Sequence, residues 1–147
     1  MELSENFTLE EMIDSQSAVR LGYDEQFSPP DSVKENLKAL AVNVLQPIRN
    51  TLGKPIHTSS GYRCLRVNKA IGGAETSQHV KGQAADITSD MPVEELYILI
   101  KHSGIVFDQL IQEFGHWCHI SYNPFGVNRQ QCLRAIKVDG ETKYIPD

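Results

Sequence analysis

Positive charge is in short supply in this sequence. Its 14 Lys and Arg are outnumbered by 19 Asp and Glu, for a formal net charge of -5. A general nucleic-acid binder needs a basic face, and so does bulk attraction to anionic membranes or polymers, so the balance argues against both. No apolar run approaches the roughly 18 residues that span a bilayer, which argues against membrane insertion. The opening residues Met1-Glu2-Leu3-Ser4-Glu5-Asn6 have no basic stretch followed by an apolar one. They do not read as a signal peptide, so synthesis in a cytoplasm is expected. Cysteine is scarce as well. Cys64, Cys118 and Cys132 are odd in number and lack metal-like spacing, so they are expected to be free thiols rather than a disulfide framework. There is no internal repeat and no low-complexity segment. What remains is ordinary for a globular chain: 147 residues, 40% hydrophobic and 22% charged, enough for one domain with a core.

Local patterns predict helices first and strands last. Thr8 and Glu11 have capping-box spacing, with Phe7 and Met12 placed for a hydrophobic staple, and predict a helix running to about Arg20. Residues 27–31 read as a linker. Val33, Leu37, Leu40, Ala41, Val44, Leu45, Ile48 and Leu52 recur at helical spacing and predict one long helix kinked by Pro47. Ile56 to Ser60 reads as a strand, Cys64 to Ile71 as a short helix, 74–83 as a loop, and Ala84 to Thr88 as a buried strand. A helix is expected from Pro92 to near Gly104, and strands over Val106–Phe114 and Trp117–Tyr122. The last two strands, Leu133–Val138 and Thr142–Ile145, flank the hairpin turn Asp139-Gly140. This order predicts an α+β fold with a small, mostly antiparallel sheet packed by N-terminal helices.

The chemistry concentrates in two clusters, Ser77-Gln78-His79-Val80-Lys81-Gly82-Gln83-Ala84-Ala85-Asp86 and Glu113-Phe114-Gly115-His116-Trp117-Cys118-His119. Together they supply two imidazoles and a carboxylate for a metal, plus a spare carboxylate. A hydrolytic zinc site uses that set: three protein ligands, a fourth position for water, and a base nearby. His79, Asp86 and His119 are the ligands assigned, with His116 the rival to His119. On one straight strand Glu113 and His119 would lie about 20 Å apart, so the chain must turn between them. A three-residue loop, Gly115-His116-Trp117, would set Glu113 directly opposite His119 on one face, where a general base belongs. A two-residue loop would send His119 to the other face. His57 and His102 lack such context and read as surface or hydrogen-bonded histidines.

The pattern Ser77-x-His79-x-x-Gly82-x-Ala84-x-Asp86, then Glu113 and Trp117-x-His119, resembles the zinc D-alanyl-D-alanine carboxypeptidase family. Ser59-Ser60-Gly61-Tyr62-Arg63 and Asn68 before Gly72-Gly73 extend the likeness, which covers about residues 56–123. The family's relatives include phage L-alanyl-D-glutamate endopeptidases, and its fold is shared with the hedgehog signalling domain. The resemblance implies one zinc ion held by His79, Asp86 and His119, with Glu113 as catalytic base. Arg63 would bind the scissile carbonyl oxygen. Ser77, Trp117 and the rim residue His116 would meet the substrate, while Tyr62 and Asn68 act as structural supports. It implies a monomeric zinc peptidase domain over 1–147, with a helical part at 1–53, a catalytic core at 54–123 and a C-terminal hairpin at 131–147. The expected partner is the peptidoglycan stem peptide. D-Ala-D-Ala carboxypeptidase and L-Ala-D-Glu endopeptidase action both remain open. A phage or prophage endolysin, released from the cytoplasm to the cell wall or periplasm, is the expected setting. The alternative is a non-catalytic, zinc-stabilised binding module of hedgehog-like fold.

Overall fold

Thr8 begins the first helix by capping it. Its hydroxyl accepts from the Glu11 backbone N–H while the Glu11 side chain accepts from the Thr8 backbone N–H, which satisfies two N–H groups that a helix start leaves without partners. The computed structural model describes residues 1–147. Two short strands, β1 (Glu2–Ser4) and β2 (Phe7–Thr8), lead into α1 (Leu9–Ile13). The helix predicted to reach Arg20 stops here. Asp14 leaves the helical region (ψ 136), and Ser15 recaps the chain by accepting from the Ala18 N–H to start α2 (Gln16–Leu21). A 3₁₀ turn (Asp24–Phe27) follows, just ahead of the linker expected at 27–31.

The long periodic segment forms α3 (Asp31–Leu40), a π-helical turn (Ala41–Leu45) and α4 (Gln46–Leu52). Pro47 has no N–H to donate, and its ring would press on the carbonyl one turn earlier. The chain absorbs this by widening: the Gln46 N–H reaches back to the Ala41 carbonyl, so the expected kink takes the form of a π-bulge. The predicted apolar face is fully buried at Leu37, Leu40, Ala41, Val44, Leu45 and Ile48.

The remaining elements are β3 (Ile56–Ser60), α5 (Leu65–Ala70), a 3₁₀ turn (Gln78–Lys81), β4 (Ala84–Ser89), α6 (Val93–Lys101), β5 (Gln109–Glu113), β6 (Trp117–Ser121), β7 (Gln131–Val138) and β8 (Glu141–Pro146). The last six strands named form one sheet in the order β3-β4-β6-β5-β7-β8. All its neighbours are antiparallel except β5 and β7, which run parallel. The fold is therefore α+β. Val106 to Asp108 lie outside the strand expected to include them. The β7–β8 hairpin turns at Asp139 and Gly140, both at positive φ.

Alternation along the strands divides the sheet. Ala85, Ile87, Leu110, Cys118 and Ile120 join the helices, including Leu96, Tyr97 and Ile100 of α6, in one core of 26 buried residues. Asp86, His119 and Ile111 occupy the other face as successive cross-strand partners, continued by Leu133 and Pro146. No helix is long and apolar enough to cross a membrane.

Candidate metal centre

The 3₁₀ turn at Gln78–Lys81 carries His79 over the sheet and is braced from below by α3. The Asn36 side chain donates to the Lys81 carbonyl at 2.9 Å. Gly82 ends the turn at φ +73, and a Cβ there would lie 2.9 Å from the Val33 carbonyl oxygen, so the reversal toward β4 needs glycine for both space and backbone sign.

Three ligand-type atoms converge. His79 Nε2 lies 3.2 Å and His119 Nδ1 3.4 Å from Asp86 Oδ1, and the three atoms all lie within 4.8 Å of one another. His79 is 2% and His119 8% exposed. The Gly61 carbonyl accepts from His79 Nδ1 at 2.7 Å. A carbonyl cannot donate, so the proton sits on Nδ1 and the Nε2 lone pair faces Asp86. Asp86 Oδ1 is itself buried and without a hydrogen-bond partner. Two acceptors facing each other with no proton between them favour a cation there. Two neutral imidazole nitrogens and a carboxylate oxygen, with an open groove on one side, fit a single zinc ion.

Glu113 stands beside this cluster, its Oε1 3.8 Å from His119 Nδ1. Burial and then the Asp86 charge raise its pKa, and His119, Trp117 and Arg63 reduce this without cancelling it. The loop between β5 and β6 has three residues, but they are Phe114, Gly115 and His116. Glu113 pairs with Trp117, and His119 with Ile111. The expected direct pairing of Glu113 with His119 is thus displaced along the strand, because Phe114 takes φ 59 beside Gly115 at φ 74 and turns the chain one residue early. The odd loop length still leaves both side chains on one face. His116 is exposed at the turn and stacks on Trp117, ring centroids 6.1 Å apart. It does not line the groove.

Arg63, on the exit of β3, donates from Nη2 to Ser77 Oγ at 3.2 Å, and its buried Nε has no partner. Burial lowers its pKa against the opposing pull of Asp86 and Glu113. Gln26, fully buried, fixes this exit: it donates to the Ile13 and Tyr62 carbonyls and accepts from the Cys64 N–H, each at 2.8 Å. Ser77 Oγ also accepts from the His79 N–H at 3.3 Å. Asn68 donates to the Ala74 carbonyl at 2.8 Å and closes the preceding loop.

These groups open into a groove of about 820 Å³. Its walls run from Gly73 and Thr76 through Arg63 and Trp117 to Gln131 and Tyr144 on the C-terminal hairpin. The hairpin's part in the groove, the Gly61 carbonyl and the Gln26 clamp were not read from the sequence. Gln78, within the quoted motif, is a further addition: its Oε1 lies 3.4 Å from His119 Nε2. The cysteines lie outside the groove lining, and burial pushes the Cys118 thiol up to about 12, which leaves it inert as a nucleophile.

A family profile described as Peptidase M15 matches residues 5–121. Over 44 residues, 29% of the chain, the sequence is 43% identical to the zinc D-Ala-D-Ala carboxypeptidase of Streptomyces albus G. That match spans 17% of the relative's length.

Proposed function

The chain belongs to the zinc metallopeptidases of the peptidase M15 family, and we propose that it hydrolyses an amide bond in the peptidoglycan stem peptide. In this reading His79, Asp86 and His119 hold one zinc ion, Glu113 is the catalytic base, Arg63 binds the oxyanion, and Ser77 and Trp117 border the substrate. We assign these roles within one peptidase domain whose catalytic part spans 54–123 and whose groove is extended by the hairpin. The observation that carries the reading is a second carboxylate, Glu113, 3.8 Å from a two-imidazole, one-carboxylate cluster. A purely structural metal site needs neither that carboxylate nor Arg63.

Bound zinc would supply Lewis acidity, polarising the scissile carbonyl and making water acidic enough to be deprotonated near neutral pH. Glu113 accepts the proton of the attacking water and returns one to the leaving amine. Its raised pKa suits both directions of transfer. Arg63 presents a permanently charged, planar donor set to the carbonyl oxygen as charge develops on it. No acyl-enzyme is required, so no serine or cysteine acts as nucleophile.

We prefer an endopeptidase over a carboxypeptidase, which needs a pocket closed just beyond the scissile bond, because the groove lining extends to Gln131 and Tyr144 on the C-terminal hairpin. The L-Ala–D-Glu bond is therefore our preferred target over the terminal D-Ala–D-Ala bond. The setting we propose is an endolysin acting on the wall of a lysing bacterium. Mass spectrometry of a defined muropeptide treated with zinc-loaded protein tests this. New D-Glu amino termini support the endopeptidase, loss of D-Ala alone supports the carboxypeptidase, and no product with zinc bound supports the binding module.

A further inference from the structure

The two imidazoles of the cluster are oriented by different devices. His79 meets a backbone carbonyl, which has one identity. His119 meets the Gln78 carboxamide, which presents either a donor or an acceptor depending on a half-turn of its terminal group. Something must decide which end faces His119.

Asp108 decides it. This residue precedes β5 and is 5% exposed. Its Oδ1 accepts from the Arg129 backbone N–H and Nε, both at 3.0 Å, and its Oδ2 from Arg129 Nη2 at 2.8 Å. Oδ2 also accepts from Gln78 Nε2 at 2.9 Å. A carboxylate held by an arginine only accepts, so the Gln78 amide must turn its NH₂ toward Asp108. Its oxygen then faces His119 Nε2, at 3.4 Å. That arrangement places the imidazole proton on Nε2 and leaves the lone pair on Nδ1, the atom that faces Asp86.

We propose that Asp108 and Arg129, acting through Gln78, are positioning residues that fix His119 in the tautomer ligating zinc through Nδ1. The inference rests on the reading of His119 as a zinc ligand. It adds that a buried carboxylate and its arginine, linked to that ligand through one side chain, help set zinc affinity. Outer partners of ligating histidines typically contribute about 10–100-fold to metal affinity.

Zinc competition with a chelator tests it, with folding followed by circular dichroism. The wild type is measured first: if it binds no zinc, the metal-site reading itself fails. If it binds one ion, Asp108→Asn is expected to weaken zinc about 10-fold or more, because the new amide lets the Gln78 amide turn either way. Adding Gln78→Glu restores a fixed order, since the carboxylate it introduces accepts both from His119 and from the amide introduced by Asp108→Asn. The double variant is therefore expected to recover most of the lost affinity, which a merely structural role for Asp108 would not allow. Wild-type affinity in Asp108→Asn, or no recovery in the double variant, overturns the proposal. Should Asp108→Asn fail to fold, Gln78→Leu on the half-buried turn decides instead. A loss of about 10-fold or more supports the proposal and unchanged affinity overturns it.

Discussion

Glu113 and His119 lie on adjacent strands, two pairing positions out of register, and their side chains still meet, with Oε1 3.8 Å from Nδ1. The offset keeps Glu113 off the cluster formed by His79, Asp86 and His119 and places it over the groove next to it. Two carboxylates in one site thus acquire different roles. Asp86 faces the two imidazoles inside the cluster, and Glu113 is pushed toward protonation by burial.

Glu113→Gln should separate turnover from metal binding. It removes the proton acceptor at nearly constant shape. We expect kcat to fall by about 10²–10⁴-fold with zinc stoichiometry unchanged. Steady-state kinetics on a muropeptide, paired with metal analysis, checks both halves.

Arg63 is placed to act on developing charge. Arg63→Lys keeps the charge but loses the fork, and Arg63→Met loses both. Removal of one such donor typically costs about 10²–10³-fold in kcat. The expected order is wild type, then Lys, then Met, with the change in kcat rather than KM. Equal kcat for wild type and Arg63→Met contradicts the assignment.

Gly61 approaches α1 so closely that a Cβ would lie 2.3 Å from the Met12 carbonyl oxygen. Its own carbonyl holds His79. Gly61→Ala should therefore destabilise the fold by about 1–3 kcal/mol, as overpacking does, and weaken zinc at the same time. Denaturant unfolding and chelator competition measure the two effects together.

The Asp108–Arg129 pair predicts a pH dependence. The Arg129 guanidinium holds the Asp108 carboxyl at about 2, below its ordinary 3.8. A depressed folded-state pKa stabilises the fold above the ordinary value, and the contribution is lost as pH falls through about 2. Arg129→Leu should cost about 1 kcal/mol near neutral pH, a figure discounted for the exposure of Arg129. The gap to wild type should narrow as pH falls from about 4 toward about 2. Unfolding curves across that range check the sign, and a gap that widens in acid contradicts it.

The legible parts of this fold are those written in neighbouring residues. The Thr8–Glu11 capping box, the Pro47 distortion and the Asp139-Gly140 turn each arise within a few positions and appear where the sequence places them. The convergence of His79, Asp86, Glu113 and His119 was legible because strand parity and an odd loop fix a face. The register was not, because it depends on Phe114 adopting a backbone sign that sequence rules give to glycine. The break at Asp14 was missed because a second cap at Ser15 competes with helix continuation. The parallel pairing of β5 with β7 and the supports from Gln26, Gln78 and Asp108 join residues far apart in the chain. A backbone carbonyl such as that of Gly61 leaves no signature in residue type at all.

The central claim is zinc-dependent hydrolysis at this cluster. The most direct measurement is the release of new amino groups from purified peptidoglycan by the wild-type protein, with chelator and then zinc added in turn. The account predicts release that stops on chelation, returns with one equivalent of zinc, and is lost in Glu113→Ala at full zinc occupancy. Release that persists without metal, or full activity in Glu113→Ala, would contradict it.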